Sequence, residues 1–129
     1  SVSLREEMEF ASAYIFLLKM RFENNLQFDI QIAKSFEDYR LPPMAVQVLI
    51  ENAVKHNEIS DRKPLTIHIV TNNEGYLSVS NDIQPKRTAA TGIGLVNLAK
   101  RYRLLFKQDI QITEDKEFSV CIPLIDEVQ

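Results

Sequence analysis

The polar run Glu51-Asn-Ala-Val-Lys-His56 ends a segment that is otherwise apolar, and its residue types suit phosphate and metal binding. If the segment is helical, spacing places Glu51 beside Lys55, and Asn52 beside Lys55 and His56. A carboxylate, an amide oxygen, an ammonium group and an imidazole would then converge, a set that can hold a hydrated magnesium ion and its phosphates. Burying the asparagine amide without partners would cost about 1 to 3 kcal/mol. The alternative is a solvated helix end, in which Lys55 and His56 interact favourably with the C-terminal dipole.

Two of the three glycines, Gly92 and Gly94, lie in a second candidate segment, Thr91-Gly-Ile-Gly-Leu95, where a predicted helix begins. Without a Cβ they allow backbone amides to approach a ligand, and the helix N-terminus behind them favours an anion. A plain loop-to-helix turn explains the glycines equally well. The segment is not a P-loop, because the lysine and the Ser/Thr of that motif do not follow.

Asn81 is the third candidate, because it closes the apolar face of a predicted strand. Alternation places it on the same side as Leu77 and Val79, and places Asp82 on the opposite side. A polar side chain on an inward face needs a hydrogen-bond partner, which a ligand can supply. Ordinary hydrogen bonding to backbone at the strand end is the alternative.

Changes in hydrophobic period divide the chain into helices and strands. Alternating residues predict five strands, around 26–32, 65–69, 77–81, 110–113 and 118–124. Helices are predicted at 4–22, 44–56 and 94–106, with a hairpin turn at 72–75 and a loop at 83–91. Alternating strands have one wet face, so the helices must cover the other. We therefore predict an α/β two-layer sandwich, with a mostly antiparallel mixed sheet and helices on one face.

The first predicted helix opens with a capping box, Ser3-Leu-Arg-Glu6. Its apolar residues then recur every 3.5 residues on average: Leu4, Met8, Ala11, Ile15, Leu18 and Phe22. This repeat fits either a short coiled-coil-like seam or a plain amphipathic helix on a core. Phe10, Tyr14 and Leu17 widen the apolar surface, which predicts that the helix also packs on its own domain.

The composition excludes several classes of protein. With 129 residues, 45% hydrophobic residues and 26% charged residues, the chain is an ordinary globular domain. A net charge of -3 gives no broad attraction to nucleic acid or anionic membrane. The single cysteine, Cys121, excludes an intramolecular disulfide. No apolar run approaches the length of a membrane span, and no signal peptide pattern is visible.

The order and spacing of these motifs resemble the ATP-binding catalytic domain of sensor histidine kinases. The resemblance is carried by Leu41-Pro-Pro-Met-Ala-Val-Gln-Val-Leu-Ile-Glu-Asn-Ala-Val-Lys-His56, then by Gly92-Ile-Gly-Leu-Val-Asn97 and Arg101. With Glu6, Tyr14 and Arg21-Phe22 upstream, it resembles more narrowly the subgroup that usually partners LytTR-type response regulators. It implies the Bergerat (GHKL) fold, with residues 1–23 leading in from an upstream dimerisation region and residues 24–129 forming the ATP-binding domain.

The resemblance also implies a role for each candidate. Asn52 matches the magnesium-coordinating asparagine, and Glu51 matches the catalytic glutamate that orients or assists the phosphoryl acceptor. Lys55 and His56 flank the phosphates. The loop at 83–91 matches a lid over the nucleotide. The remaining ATP contacts fall on Asn81, Lys86, Arg87, Thr91, Gly92, Ile93, Gly94 and Leu95.

One departure from the family pattern affects the adenine end of the site. The family usually has Asp-Asn-Gly where this chain has Asn81-Asp82-Ile83, and its aspartate accepts a hydrogen bond from the adenine amino group. An asparagine carbonyl can still accept that bond, but without the charge of a carboxylate. We expect adenine recognition to survive with lower affinity, under a short lid.

The reaction implied by the resemblance is transfer of the γ-phosphoryl group of ATP, with Mg²⁺, to a histidine. Only His56 and His68 are present, and neither lies on an upstream helix, so we expect an acceptor N-terminal to Ser1 and little turnover by the isolated domain. The implied partners are the protein's own dimerisation domain, in a homodimer, and a response regulator. The implied setting is the cytoplasmic side of an inner-membrane sensor.

Two other classes remain open from the sequence alone. A non-catalytic scaffold of the same fold, binding nucleotide or a partner domain, fits the altered Asn81-Asp82-Ile83 segment. An ATPase of the chaperone, topoisomerase or mismatch-repair type shares the fold, but it would normally continue into transducer segments downstream.

Overall fold

The computed structural model describes residues 1–84 and 93–127, and all structural statements refer to these ranges. The α-helices are α1 (Leu4–Phe22), α2 (Ala45–His56) and α3 (Ile93–Phe106). The strands are β1 (Val2–Ser3), β2 (Leu26–Gln31), β3 (Arg40–Leu41), β4 (Leu65–Thr71), β5 (Tyr76–Asp82), β6 (Gln111–Glu114) and β7 (Glu117–Pro123). Each predicted helix and strand is present, with ends that differ by a few residues at most.

The main sheet has five strands in the order β2-β4-β5-β7-β6. Strands β2 and β4 run parallel, and the other neighbouring pairs are antiparallel. The predicted mixed, mostly antiparallel sheet is therefore confirmed. A second pairing, between β1 and β3, was not predicted, because two-residue strands carry no periodic signal.

Alternation along the strands separates a core face from an open face. On β4, Leu65, Ile67 and Ile69 are buried, whereas Thr66 and His68 lie on the opposite side. The buried faces of the three helices pack on this apolar side, which gives the predicted two-layer arrangement. None of the helices in the described part of the chain combines the length and hydropathy that crossing a bilayer requires.

The first helix packs by the face that carries the 3.5-residue repeat. Leu4, Ala11, Ile15 and Leu18 are buried in the core, so the plain amphipathic helix is the correct alternative. The helix packs on its own domain, as predicted, but Phe10 and Leu17 contribute little to that packing, because their side chains are 58% and 64% exposed. They lie on the outer side of the helix, which the core does not reach. The predicted capping box is present, with the Glu6 amide donating to the Ser3 hydroxyl at 3.1 Å.

The start of α2 depends on a side chain from α1. Pro42 and Pro43 precede the helix, as predicted, but the N-cap residue Met44 provides no side-chain hydrogen bond. Its backbone is left-handed, with φ of 69°, which costs a non-glycine residue about 1 kcal/mol or more. The buried carboxylate of Glu7 supplies the missing cap by accepting hydrogen bonds from the backbone amides of Met44 and Val46.

Candidate functional site

The C-terminal half of α2 carries the polar run from Glu51 to His56. Its apolar residues Ala53 and Val54 are buried and fix this half of the helix on the core. Glu51, Asn52 and His56 are half-buried, and Lys55 is exposed. The structure therefore places the four predicted side chains on the last two turns of one helix, where burial gives way to solvent.

Glu51 lies at the boundary between α2 and α1. Its carboxylate accepts a long hydrogen bond of 3.4 Å from Gln47, one turn earlier on the same helix. Burial raises the pKa of the Tyr14 phenol, and the negative charge of Glu51 raises it further. Glu51 is thus a partly exposed carboxylate close to a tyrosine of the neighbouring helix.

Asn52 and Lys55 present polar groups that the protein leaves available. Within residues 1–84 and 93–127, no hydrogen bond or ion pair engages the Asn52 side-chain amide or the Lys55 ammonium group. Polar groups with no direct access to water are normally satisfied, so a half-buried amide without a protein partner, beside an uncommitted cation, makes this end of α2 a candidate site for a polar ligand. An amide oxygen and an ammonium group match a hard cation and an anion respectively.

Asn57 connects the end of α2 to the segment that follows β5, and the sequence reasoning missed it. Its side chain is buried, and Nδ2 donates to the carbonyl of Ala53 at 2.8 Å. Its Oδ1 accepts from the backbone amide of Gln84 at 2.7 Å. The Gln84 carbonyl accepts from the backbone amide of Glu58, and its side chain donates to the carbonyl of Pro64 at 3.2 Å. An asparagine directly after a predicted helix was the available signal, because this residue type favours helix ends.

Asn81 lies on the core face of β5, as predicted. Its side chain is 1% exposed, whereas that of Asp82 is exposed on the other side. Nδ2 of Asn81 donates to the carbonyl of Asp82 at 2.8 Å. This bond to backbone is the one that the alternative interpretation expected. It also orients the amide, because it uses one of the two Nδ2 hydrogens and leaves the carbonyl oxygen Oδ1 able to accept from a ligand.

The described part of the glycine segment shows a packing role for Gly94. A Cβ on Gly94 would lie 3.3 Å from Cγ1 of Val48, so this glycine allows the first turn of α3 to approach α2 closely. Ile93 is exposed, and Leu95 is buried in the core. Four other predicted ATP contacts, Lys86, Arg87, Thr91 and Gly92, lie outside the described residues.

The donor groups of the site fit Mg²⁺ better than Zn²⁺. Across the two described ranges, no three histidine, cysteine, aspartate or glutamate side chains converge in a metal-binding group. Zinc sites normally require such a set. Magnesium does not, because it commonly takes one or two protein oxygens and completes its shell with waters and substrate phosphates. The amide of Asn52 fits that pattern.

Sequence comparison relates the chain to bacterial sensor proteins, among them a sensor histidine kinase. It is 31% identical over 118 residues to the sensor histidine kinase BtsS of Escherichia coli strain K12, which covers 87% of this chain and 21% of BtsS. It is 34% identical over 132 residues to the sensor protein LytS of Streptococcus mutans, covering 88% of this chain and 22% of LytS. The chain thus spans about a fifth of the length of the curated relatives it matches. No family model matches it.

Comparison of structures gives the same fold. Two nucleotide-free crystal forms of the catalytic domain of the histidine kinase ThkA superpose with TM-scores of 0.60 and 0.63. The alignments cover 97% and 96% of this chain and 96% and 97% of the ThkA chains. Sequence identity is only 19% and 20%, so this likeness concerns the fold alone.

Proposed function

We propose that this chain, which belongs to the sensor histidine kinase family in sequence and has the fold of its catalytic domains, binds Mg-ATP between α2, the end of β5 and the start of α3. From there it donates the γ-phosphoryl group to a histidine carried elsewhere in a longer protein. The observation that carries the proposal is the C-terminal half of α2, where Asn52 and Lys55 have no partner among the described residues and lie beside the half-buried Glu51.

Phosphoryl transfer needs positioning and neutralisation of charge more than covalent catalysis. In this proposal the Asn52 oxygen would hold Mg²⁺, which would neutralise charge on the phosphate oxygens. Lys55 donates hydrogen bonds to the phosphates as a point charge, and His56 lies one residue further along the same turn. The start of α3, at Ile93, Gly94 and Leu95, would offer backbone amides to the phosphates, and we assign Thr91 and Gly92 to the same role. We assign Lys86 and Arg87 to neutralising the charge of the polyphosphate.

Glu51 is assigned to the acceptor histidine. Its carboxylate lies near Tyr14 of α1, and among the described residues one long hydrogen bond, from Gln47, holds it. From this position it can accept a hydrogen bond from the ring N–H of an incoming imidazole. That bond leaves the other ring nitrogen unprotonated and nucleophilic, so Glu51 orients the acceptor.

The base is assigned to Asn81. Its oxygen Oδ1 accepts a hydrogen bond from the adenine amino group, while its Nδ2 stays on the Asp82 carbonyl. A neutral acceptor gives a weaker bond than a carboxylate, so we expect moderate affinity for ATP. GTP has a carbonyl where ATP has the amino group, and it should bind more weakly still.

The partners follow from the same proposal. Residues 1–23 connect the domain to a dimerisation region that bears the acceptor histidine, and residues 24–129 form the ATP-binding unit. The phosphoryl group then passes to a response regulator, for which we propose the LytTR type. In a membrane sensor this domain would lie on the cytoplasmic side, where ATP is available.

Titration with a fluorescent ATP analogue tests nucleotide binding. We expect saturable binding below millimolar concentration in the presence of Mg²⁺, weaker binding when EDTA is added, and competition by ATP in preference to GTP. Absence of saturable binding at millimolar concentration would contradict the proposal.

The phosphoryl-transfer step needs a longer chain that carries an acceptor histidine. In such a chain, Glu51→Gln should lower the rate of phosphohistidine formation from γ-labelled ATP while the affinity for Mg-ATP stays within about twofold. The exposed Glu74→Gln provides a matched control. An equal loss of rate and affinity in Glu51→Gln would assign Glu51 to nucleotide binding instead.

A further inference from the structure

We propose that Glu7 of α1 is a positioning residue for the nucleotide site: it caps the N-terminus of α2 and thereby fixes where the opposite end of that helix presents Glu51, Asn52 and Lys55. The inference rests on the proposed function, because it assumes that the C-terminal half of α2 binds nucleotide. It adds a residue that lies at the other end of the helix and touches none of the proposed ligands.

The carboxylate of Glu7 reaches α2 from a separate helix. Oε1 accepts from the Met44 amide at 3.0 Å, and Oε2 accepts from the Val46 amide at 2.8 Å. Both oxygens are therefore used on the amides that the first turn of a helix leaves without partners inside the helix. A negative charge at this end also interacts favourably with the helix dipole.

No other side chain in the described ranges can replace this cap. The first turn of α2 contains no acidic residue, and its N-cap residue, Met44, makes no side-chain hydrogen bond. Glu7 is only 4% exposed, so water does not compensate if the carboxylate is removed. Burial raises the pKa of Glu7, and the hydrogen bonds from the helix amides oppose that rise. A carboxylate buried in this way loses its hydration, so its two hydrogen bonds to the helix amides are what offset that cost.

Glu7 also holds a strained residue in place. Met44 has a φ of 69°, and its amide is one of the two that Glu7 accepts from. Without that hydrogen bond, Met44 can relax towards an ordinary right-handed or extended conformation, which changes the direction in which α2 leaves Pro43. The cap therefore fixes the orientation of the first turn as well as satisfying its amides.

The same corner of the molecule includes α3. A guanidinium nitrogen of Arg101, Nη1, donates to the Pro43 carbonyl at 2.6 Å, and its positive charge opposes the rise that burial causes in the pKa of Glu7. Pro43 is thus held by Arg101 of α3, and Met44 is held by Glu7 of α1. Side chains from α1 and α3 therefore meet at the start of α2. One turn further along α2, Val48 lies against Gly94 at the start of α3.

The remaining step is transmission along α2. Twelve residues at about 1.5 Å each make a rod of about 18 Å, short enough to move as one body. At its far end Asn57 anchors the helix to Gln84, so α2 is held by one buried polar side chain at each end. Loss of the first anchor allows the N-terminal turn of α2 to shift on the core, and a helix that moves as one body then also turns the side chains of its last two turns.

Glu7→Gln tests the inference with little change of shape. The amide can accept from one of the two helix amides, but its NH₂ group then faces the other donor, so one buried bond is lost. We expect Mg-dependent affinity for a fluorescent ATP analogue to fall by about 3- to 10-fold, which lies within the factor of about 2 to 30 that corresponds to the free energy of a lost helix cap. Resonances of the Asn52–Asn57 amides should shift in ¹⁵N–¹H spectra of the nucleotide-free protein.

Two control variants separate positioning from a general loss of stability. Glu9→Gln changes an exposed glutamate on the same helix and should leave affinity and the α2 resonances unchanged. Ile122→Val removes one buried methylene group from β7, and should lower the unfolding temperature without moving the Asn52–Asn57 resonances or the affinity.

The outcomes distinguish the inference from the proposed function. If the wild-type chain binds no nucleotide but Glu7→Gln still shifts the Asn52–Asn57 resonances, the proposed function fails and the coupling along α2 stands. Wild-type binding together with unchanged affinity and unchanged resonances in Glu7→Gln would overturn the inference alone. The inference would also be overturned if Ile122→Val lowered the affinity and shifted the Asn52–Asn57 resonances as much as Glu7→Gln does at an equal loss of stability.

Discussion

The two ends of α2 differ in how their polar groups are satisfied. At the N-terminal end, the buried carboxylate of Glu7 from α1 accepts hydrogen bonds from the amides of Met44 and Val46, so these amides have partners inside the protein. At the C-terminal end, the side chains of Asn52 and Lys55 have no partner within the described ranges, although Asn52 is half-buried. A satisfied polar cluster fixes structure, whereas an unsatisfied one at the border of the solvent is available to a ligand.

The comparison also shows what connects the two ends. Asn57, at the C-terminal end, is as fully committed as Glu7, because it bonds to both Ala53 and Gln84. Two hydrogen-bonded side chains, Glu7 and Asn57, therefore hold the two ends of α2. We call these the framing positions, and Asn52 and Lys55 lie between them. Substitutions at the framing positions should lower stability and change binding only through the orientation of α2, whereas substitutions between them should change binding with little effect on stability.

Asn52→Ala should produce the largest effect on binding and almost none on stability. Removing the oxygen assigned to Mg²⁺ should weaken Mg-dependent nucleotide binding by at least about 10-fold. The free energy of unfolding should stay within about 0.5 kcal/mol, because the substitution breaks no hydrogen bond within the described ranges. Isothermal titration calorimetry with Mg²⁺ and with EDTA, alongside urea denaturation, measures both quantities.

The matched control for Asn52→Ala is Asn73→Ala, in the exposed turn between β4 and β5. It should leave both the affinity and the free energy of unfolding unchanged. If Asn52→Ala binds Mg-nucleotide as tightly as Asn73→Ala does, the site must lie elsewhere, and the contrast between the two ends of α2 loses its functional meaning.

Asn57→Ala should have the opposite profile, with a loss of stability as its primary effect. It removes the acceptor of the Gln84 amide and the donor to the Ala53 carbonyl in a buried position. Leaving buried groups unsatisfied costs about 1 to 3 kcal/mol, and urea denaturation should detect that loss. Asn24→Ala, an exposed substitution, is the control. A stability equal to the control would show that the Asn57 contacts do not frame the helix.

The functional end of α2 could be recognised from sequence, and its framing residues could not. Asn52 and Lys55 stand out because polar residues interrupt an apolar helix, and that pattern is local. Glu7 carries no such signal, since a glutamate in the first turn of α1 is expected from the helix dipole alone. Its partners are 37 and 39 residues away, and only the tertiary structure brings them together.

The strand pattern was predictable for a related reason. Alternation places Leu77, Val79 and Asn81 on one side of β5 whatever the partner strands are, and the structure confirms it. The first helix was harder, because its apolar residues cover more than one face. The repeat at Leu4 and Ala11 and the extra residues Phe10 and Leu17 compete for the core, and only packing decides between them.

The pH dependence of stability offers a test of the N-terminal end that does not involve nucleotide. Burial raises the pKa of Glu7 above its ordinary value of 4.5, so the folded chain holds this proton more tightly than the unfolded chain. The stability from this group is fully present below pH 4.5 and is lost as the pH rises through the raised pKa. As the pH rises from 4.5 through the raised pKa, the unfolding free energy of the wild type should therefore fall relative to that of Glu7→Gln. A difference independent of pH would mean that Glu7 is not buried as an ionisable group.

The smallest effect belongs to a polar pair outside the comparison, on the open face of the sheet. Asp29 and His68 face each other across the parallel β2–β4 pair, with Oδ2 of Asp29 2.8 Å from Nδ1 of His68. The hydrogen bond with His68 lowers the pKa of Asp29 below 3.8, so its contribution is present above pH 3.8 and is lost only as the pH falls through the lowered value. Both side chains are about 40% exposed, so solvent screens the pair, and Asp29→Asn should have almost no measurable effect on stability at neutral pH.

A carboxyl ¹³C titration should find a pKa of Asp29 below 3.8 in the wild type and a higher one in His68→Ala. Nucleotide affinity should be unchanged in both Asp29→Asn and His68→Ala. If either variant lowered that affinity, the open face would share in binding, and the division of roles between the ends of α2 would have to be extended to the sheet.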